Sequence, residues 1–216
     1  MNKDLVGYYA DRAAEYEQIY SKPERQQDLR RMVAILQDVF HNKNLLEIAC
    51  GTGWFTQHLA PTAASILATD INEAVLEIAR AKNYPEGNVL FQCDDIFQTK
   101  IHRRFAGLFA GFIWSHILLD QLDVFLTQCL RWGEPGGTLV FVDNFFVPGS
   151  STPLHHTDEQ GNSYQLRRLA DGTEHLVLKN FPEPAFLRQV LEKHGLKVEI
   201  AELGHYWMAV CRVGNI

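Results

Sequence analysis

Two glycines and one aspartate in the first third of the chain carry its plainest chemical signal. Leu45-Leu46-Glu47-Ile48-Ala49-Cys50-Gly51-Thr52-Gly53 reads as a strand running into a tight turn, and after an intervening helix Ile66-Leu67-Ala68-Thr69-Asp70 reads as a second strand ending in a carboxylate. Gly51 and Gly53 let the backbone bend sharply and approach a ligand closely. Asp70, 19 residues beyond Gly51, falls where a carboxylate accepts hydrogen bonds from both hydroxyls of a ribose. The layout predicts a nucleoside pocket.

The turn itself narrows which nucleoside it suits. A nicotinamide or flavin dinucleotide wants a third small residue three positions after Gly53, where this chain has Thr56 behind the bulky Trp54 and Phe55. No Lys or Arg lies in the turn to hold a pyrophosphate. S-adenosylmethionine, which carries adenosine without phosphate, fits better. The pattern acidic-x-Ala-Cys-Gly-x-Gly headed by Glu47 resembles motif I of the class I S-adenosylmethionine-dependent methyltransferases of the small-molecule type, with Ala49 in place of one family glycine. The resemblance implies that the backbone of Ala49, Cys50 and Gly51 meets the amino-acid part of the cofactor, with Glu47 and Gly53 also in the cofactor site. Asp70 and Ile71 then take the ribose, Asp94, Asp95 and Ile96 meet the adenine edge, and Phe112 adds a wall. The sequence does not separate Asp94 from Asp95, and capping of turns is the ordinary alternative for Asp70, Asp94 and Glu47. Small-molecule members often begin with a Tyr-rich segment that folds over the cofactor; Tyr16 and Tyr20 match its Tyr-x-x-x-Tyr ending, so residues 1–22 are expected to form a lid that orders on binding. A docking helix is the structural alternative.

The elements that must position these residues follow from periodicity. Leu29, Met32, Val33, Leu36, Val39 and Phe40 recur at helical steps from near Pro23 to near His41, and Val75, Leu76, Ile78 and Ala79 do so behind a capping Asn72. Asn88 to Cys93, Gly107 to Ile113 and Gly137 to Asp143 are apolar runs of strand length, and Leu118 to Leu130 supplies a crossover helix between the last two. After a Pro148-Gly149-Ser150-Ser151 break, Ser163 to Leu169 and Thr173 to Asn180 flank Asp171-Gly172, a hairpin signal. A helix from Glu183 to His194 precedes two strands, Leu196 to Leu203 and His205 to Val213, joined by Gly204 alone and therefore antiparallel. The expected fold is α/β: one domain over 1–216 with a Rossmann-like, seven-stranded, mostly parallel sheet, helices on both faces, and an inserted loop and β-hairpin over 148–181 near the acceptor side.

With 216 residues, 46% hydrophobic and 21% charged, the composition is that of a globular protein, and no apolar run approaches the roughly 18 residues needed to cross a bilayer. Met1-Asn2-Lys3-Asp4 lacks an apolar signal core, and Cys50, Cys93, Cys129 and Cys211 are spaced as reduced thiols, so a cytoplasmic protein is expected. A formal charge of −6 argues against nucleic acid as the partner, and the pairs Arg30-Arg31 and Arg167-Arg168 with His102-Arg103-Arg104 read as solvated faces. Nor does Gly111-Phe112-Ile113-Trp114 carry the Asp/Asn-Pro-Pro-aromatic motif that nucleic-acid amino methyltransferases place there. Neither a membrane nor a metal is expected; His155, His156 and Asp158 lie in a polar loop without spacing to fix a metal. The chain is expected to be a monomer or homodimer.

Methyl transfer by in-line displacement needs chiefly a dry, well-aimed pocket, with a base only where the nucleophile holds a proton. His116, after the fourth strand, is the candidate base, since its ordinary pKa of about 6.5 suits the task; capping a helix or filling the core is its bland alternative. Tyr9, Trp54, Trp114, Asn144, Tyr164 and Arg167 are the candidate acceptor contacts, an Arg there suiting a carboxylate-bearing acceptor. The expected function is methyl transfer from S-adenosylmethionine, with S-adenosylhomocysteine as product, to oxygen or nitrogen of a small molecule. The rivals are a protein acceptor, a non-catalytic sensor that binds the cofactor without turnover, and a dinucleotide oxidoreductase.

Overall fold

The computed structural model describes residues 3–214, side chains at 3–5 and 14 apart. Its main sheet has seven strands: β1 (Asn44–Ile48), β2 (Ser65–Asp70), β3 (Val89–Cys93), β4 (Phe105–Gly111), β5 (Gly133–Asn144), β9 (Lys197–Leu203) and β10 (Tyr206–Arg212). They lie in the order β3-β2-β1-β4-β5-β10-β9. All neighbours pair parallel except β10, which runs antiparallel to both β5 and β9. Strand order reverses between β1 and β4, so the crevice beyond the carboxyl ends of those strands is the natural ligand site.

Apolar runs in β1, β2, β4 and β5 are buried because helices cover both faces. On one face, Leu46, Ile48, Leu108, Ala110, Leu139 and Phe141 pack against α5 (Leu122–Trp132) and α6 (Pro184–Lys193). On the other, Leu45, Phe109, Val140 and Val142 meet Leu29, Met32 and Leu36 of α2 (Gln26–Val39), together with α3 (Trp54–Leu59) and α4 (Glu73–Arg80). The period-2 alternation of side chains along each strand divides the core this way.

Several boundaries depart from the sequence reading. The helix expected from Pro23 is a 3-10 turn over Pro23–Arg25 before α2. β5 starts at Gly133 rather than Gly137, its pairing with β4 shifting register between Phe105 and Gly107. Asn72 stands at the head of α4 but does not cap it; its Nδ2 instead donates to the Val6 carbonyl at 3.2 Å, tying down α1 (Lys3–Asp11). The hairpin forms as β7 (Ser163–Arg168) and β8 (Glu174–Leu178). A third strand, β6 (His156–Thr157), joins it where a polar loop was expected. Two residues are too few for alternation to reveal a strand. Asp158 meanwhile accepts the backbone N–H groups of Gln160 and Asn162 and so holds its own turn.

Cys50, Cys129 and Cys211 are buried and Cys93 is exposed, all unpaired. Among the described residues no helix is long and apolar enough to cross a membrane.

Candidate active site

The first cavity sits where β1, β2, β3 and β4 end. Gly51 takes the left-handed backbone (φ 55°) and so does Ala49 (φ 53°), which explains why the family pattern prefers glycine at the latter. Phe112, just past β4, is a third such residue (φ 60°). Two strained non-glycine positions, Ala49 and Phe112, around one cavity mark a site held in shape by its surroundings. Asp70 does much of the holding: Oδ2 accepts the Gly51 N–H and Oδ1 the Asn72 N–H, each at 2.9 Å. Burial raises its pKa while those amides oppose the shift, and a carboxylate retains further lone pairs for ribose hydroxyls.

Ala49, Gly51, Asp70, Ile71, Asp94, Ile96 and Phe112 line this cavity, with Tyr16 and Tyr9 arriving from the N-terminal segment. No lining residue is Lys or Arg. Two carboxylates with apolar walls suit a phosphate-free, cationic adenosyl sulfonium and repel a pyrophosphate, so the residues present fit S-adenosylmethionine. Of the two adjacent aspartates, Asp94 lines the cavity, whereas Asp95 turns away to accept the Phe97 N–H at 2.9 Å.

Four further candidates stand behind the wall. Gly53 is glycine for packing: a Cβ there would come within 2.7 Å of the Tyr84 hydroxyl and 3.0 Å of Ala79 Cβ on the α4 side. Cys50 is buried with its N–H bonded to the Thr69 carbonyl. Glu47 is 1% exposed and caps no backbone amide; Oε2 has no hydrogen-bond partner, and burial pushes its pKa up to about 8. Tyr20 stacks on Trp54 at 4.3 Å between ring centroids rather than facing the cavity.

A second, wider cavity of about 390 Å³ opens beside the first. Tyr9, Tyr16, Phe112 and His116 line both and form the partition between them. His116 Nδ1 lies 2.6 Å from the Leu178 carbonyl, which only accepts, so Nδ1 carries the proton. Nε2 therefore accepts the Tyr9 hydroxyl at 2.6 Å. Burial, aided by the Lys179 charge, holds the His116 pKa well below its usual value and keeps the ring neutral. Beneath it Asp143 Oδ1 pairs with Lys179 Nζ at 2.8 Å, and Lys179 also donates to Ser115 Oγ at 2.6 Å. Burial works to raise the Asp143 pKa, but the Lys179 charge and hydrogen bonds from Lys179 and the Ser115 N–H hold it low.

Tyr9, Asn144 and Arg167 line this second cavity as the sequence suggests. Three other candidates do not. Trp114 is 1% exposed, wedged among Phe125, Phe141 and Trp207, because a 3-10 turn after β4 swings it into the core. Trp54 packs against Tyr20, Phe55 and His58 on the α2 side. Tyr164 stacks on His156 and donates to Asp158 at 3.1 Å, bracing the insert. What the sequence did not disclose is Arg25 and Lys179, both buried and both lining the cavity. Lys179 offers one retrospective signal, a lone cation closing the apolar run Leu176-Val177-Leu178. Arg25 offers none.

Fold and site together define a Rossmann-like nucleoside-binding protein with a second chamber across a shared wall. The Methyltransferase domain family matches residues 45–137, the segment from β1 into β5. The chain is 27% identical over 168 residues to a ubiquinone biosynthesis O-methyltransferase of Coxiella burnetii, spanning 75% of this chain and 67% of that one. It is 25% identical over 137 residues to phosphoethanolamine N-methyltransferase 1 of Zea mays, spanning 60% of this chain. The match covers only 27% of that longer relative's length. The fold superposes on the DhpI-SAM-HEP complex with a TM-score of 0.84 at 25% identity, over 98% of this chain and 99% of that one. Residues 45–137 thus match a methyltransferase domain, and the fold as a whole is similar to that of the class I S-adenosylmethionine-dependent methyltransferases.

Proposed function

We propose that the protein transfers the methyl group of S-adenosylmethionine to oxygen or nitrogen of a small-molecule acceptor held in the second cavity. The observation that carries this reading is the shared partition: a group crossing from one chamber to the other must pass Tyr9, Tyr16, Phe112 and His116. Relatives named for O- and N-methylation of small molecules support it.

When bound, the cofactor supplies an electrophilic methyl carbon on a sulfonium. The chain supplies alignment and dryness. The buried, neutral imidazole of His116, its tautomer fixed by Leu178, presents the Nε2 lone pair at the partition, where it takes the proton from an acceptor hydroxyl or ammonium once Tyr9 yields the position. The segment over 1–22, whose first two residues lie outside those described, closes the site: α1 and the 3-10 helix Ala13–Ser21 place Tyr9 and Tyr16 over the first cavity. That cavity measures about 80 Å³, below the roughly 300 Å³ at which ligand pockets begin, so we read the segment as a lid that draws back to admit cofactor.

The test is methyl transfer from labelled S-adenosylmethionine to a panel of small alcohols, phenols and amines, alongside calorimetry with S-adenosylhomocysteine. Methylated product lost on His116→Ala, by about 10²-fold or more as for loss of a general base, supports the assignment; full turnover in that variant leaves positioning alone as the mechanism. Absence of cofactor binding sinks the reading, and binding without any acceptor favours a sensor.

A further inference from the structure

The second cavity is cationic in a protein whose formal charge is −6. Arg12, Lys22, Arg25, Arg167, Arg168 and Lys179 line it, against the single carboxylate of Glu15. Lys179 is neutralised by Asp143 behind it. No salt bridge among the described residues engages the other five.

Two of these guanidinium groups are held ready by neutral partners. Arg25 is 7% exposed; its terminal nitrogens donate to Asn144 Oδ1 and Ser150 Oγ, each at 3.0 Å, and the Tyr206 ring lies 5.5 Å away. Its Nε is buried without a partner. Arg167 donates from Nε and one terminal nitrogen to Gln165 Oε1 at 3.2 and 2.8 Å. Gln165 is 1% exposed and anchored through its amide nitrogen to the Thr152 carbonyl at 2.5 Å, so the fork it orients is fixed.

An ion removed from water is costly unless an opposite charge faces it. Neutral amides and hydroxyls orient Arg25 and Arg167, no carboxylate pairs directly with either, and the exposed Glu24 meets Arg25 only through Ser150 Oγ at 3.3 Å. The missing counter-charge is best supplied by what enters the cavity, and a planar guanidinium fork matches the paired oxygens of an oxyanion. Lys22 and Arg12, on the same walls, add to the local field.

We propose that the acceptor is a small acidic molecule whose oxyanion, a phosphoryl or carboxylate group, is gripped by Arg25 and Arg167 while its nucleophilic oxygen or nitrogen reaches the partition at Tyr9 and His116. This deepens, and rests on, the methyltransferase reading above. Bound so, the acceptor has its anion at one end and its methylated atom at the other, and it fits a chamber of about 390 Å³. The cationic walls also keep the positively charged cofactor out of the acceptor chamber and in the cavity lined by Asp70 and Asp94.

The test uses the full chain saturated with S-adenosylhomocysteine, at constant ionic strength set with chloride. Inorganic phosphate is titrated and followed by phosphorus NMR, and acetate is titrated in competition with it. Saturable phosphate binding is expected, weakened at least tenfold by R167Q, the order for losing charge-assisted hydrogen bonds, while calorimetry of S-adenosylhomocysteine stays unchanged. R25Q should weaken phosphate further; should its melting curve show a loss of folding, R167Q carries the result alone, since Arg167 is only half-buried. Phosphate binding tighter than acetate assigns a phosphoryl acceptor and the reverse a carboxylate, and either outcome upholds the grip. Binding of both ions no tighter than chloride, or equal in wild type and R167Q, overturns it. Failure of S-adenosylhomocysteine to bind would instead strike the methyltransferase reading, a separate result.

Discussion

The two chambers meet at four side chains yet are built by opposite strategies. The cofactor chamber is assembled from consecutive strand ends, where Ala49, Gly51, Asp70 and Asp94 arrive by the regular geometry of a parallel sheet. Its polarity is acidic and its shape is fixed by backbone. The second chamber draws most of its walls from the N-terminal segment, the turn before α2 and the insert, elements outside the parallel strand-helix repeat, and takes Phe112, His116, Asn144 and Tyr206 from the sheet's edge. Its polarity is basic and its shape is fixed by side chains such as Gln165 and Asn144. A sheet can keep one ligand site constant while the segments draped on its carboxyl edge choose the second ligand.

Removing the backbone anchor of the first chamber should give the largest effect. Asp70→Ala deletes the acceptor for two backbone amides together with the proposed ribose contact. Cofactor affinity is expected to fall around a hundredfold, about 3 kcal/mol, as for a pair of charge-assisted hydrogen bonds, with phosphate binding in the second chamber left intact. Calorimetry with S-adenosylhomocysteine reads the first and phosphorus NMR the second; a parallel loss of both would erase the distinction between the chambers.

Glu47 tests how tightly the first chamber's floor is packed. Its folded pKa of about 8 stands above the ordinary 4.5, so the contribution it makes to stability is complete below pH 4.5 and is lost as pH rises through 8. Glu47→Gln, which keeps the shape without the titration, is expected to be nearly neutral at pH 5 and to stabilise the cofactor-free protein at pH 8. The gain is on the order of 2 kcal/mol, because a pKa difference between folded and unfolded chain is worth about 1.36 kcal/mol per pH unit, and relaxation and water entry around the ionised group return part of it. Denaturant melts at the two pH values measure this, and an equal effect at both would mean that Glu47 does not titrate as a buried acid.

What the sequence made legible divides along the same line as the chambers. Gly51 and Asp70 were readable because a strand, a turn and a strand place them by local rules, and the strands themselves follow from the apolar runs. Arg25 was not, because its partners Asn144 and Ser150 are 119 and 125 residues away and no periodicity records a contact of that range. Trp54 and Trp114 misled for a different reason: an aromatic next to a strand end serves a core as readily as a pocket, and one turn of 3-10 helix decided it for Trp114. Asp94 and Asp95 differed only in the direction of their side chains, and there the turn at Phe97 decided.

The partition itself yields a smaller expected effect. Tyr9→Phe removes the hydroxyl on His116 Nε2 and leaves the ring in place, so turnover should change about fivefold, the value of one neutral hydrogen bond of about 1 kcal/mol. Because His116 has a depressed pKa in the folded protein, its neutral form persists below the ordinary value of about 6.5. In the wild type the pH profile of kcat should stay level from neutrality to below that value, and fall only when the buried ring is finally protonated. A profile already falling at about pH 7 would place the proton acceptor elsewhere, or give His116 a more open setting than the partition provides.

Trp54 separates packing from acceptor contact and should give the smallest change. Its stacking on Tyr20 at 4.3 Å and its edge contact with Phe55 at 4.7 Å are each worth about 0.5–1.5 kcal/mol beyond area burial. The half-exposed setting of the indole puts the net effect of Trp54→Leu toward the low end, about 1 kcal/mol, because much of its surface already meets water and a leucine keeps part of the contact. That loss belongs to the α2 face of the sheet and to the seating of Tyr20 at the end of the N-terminal segment. It should appear as a lower midpoint of unfolding, with KM for the acceptor unchanged. A raised KM at unchanged stability would return Trp54 to the acceptor chamber and break the assignment of that face to the core.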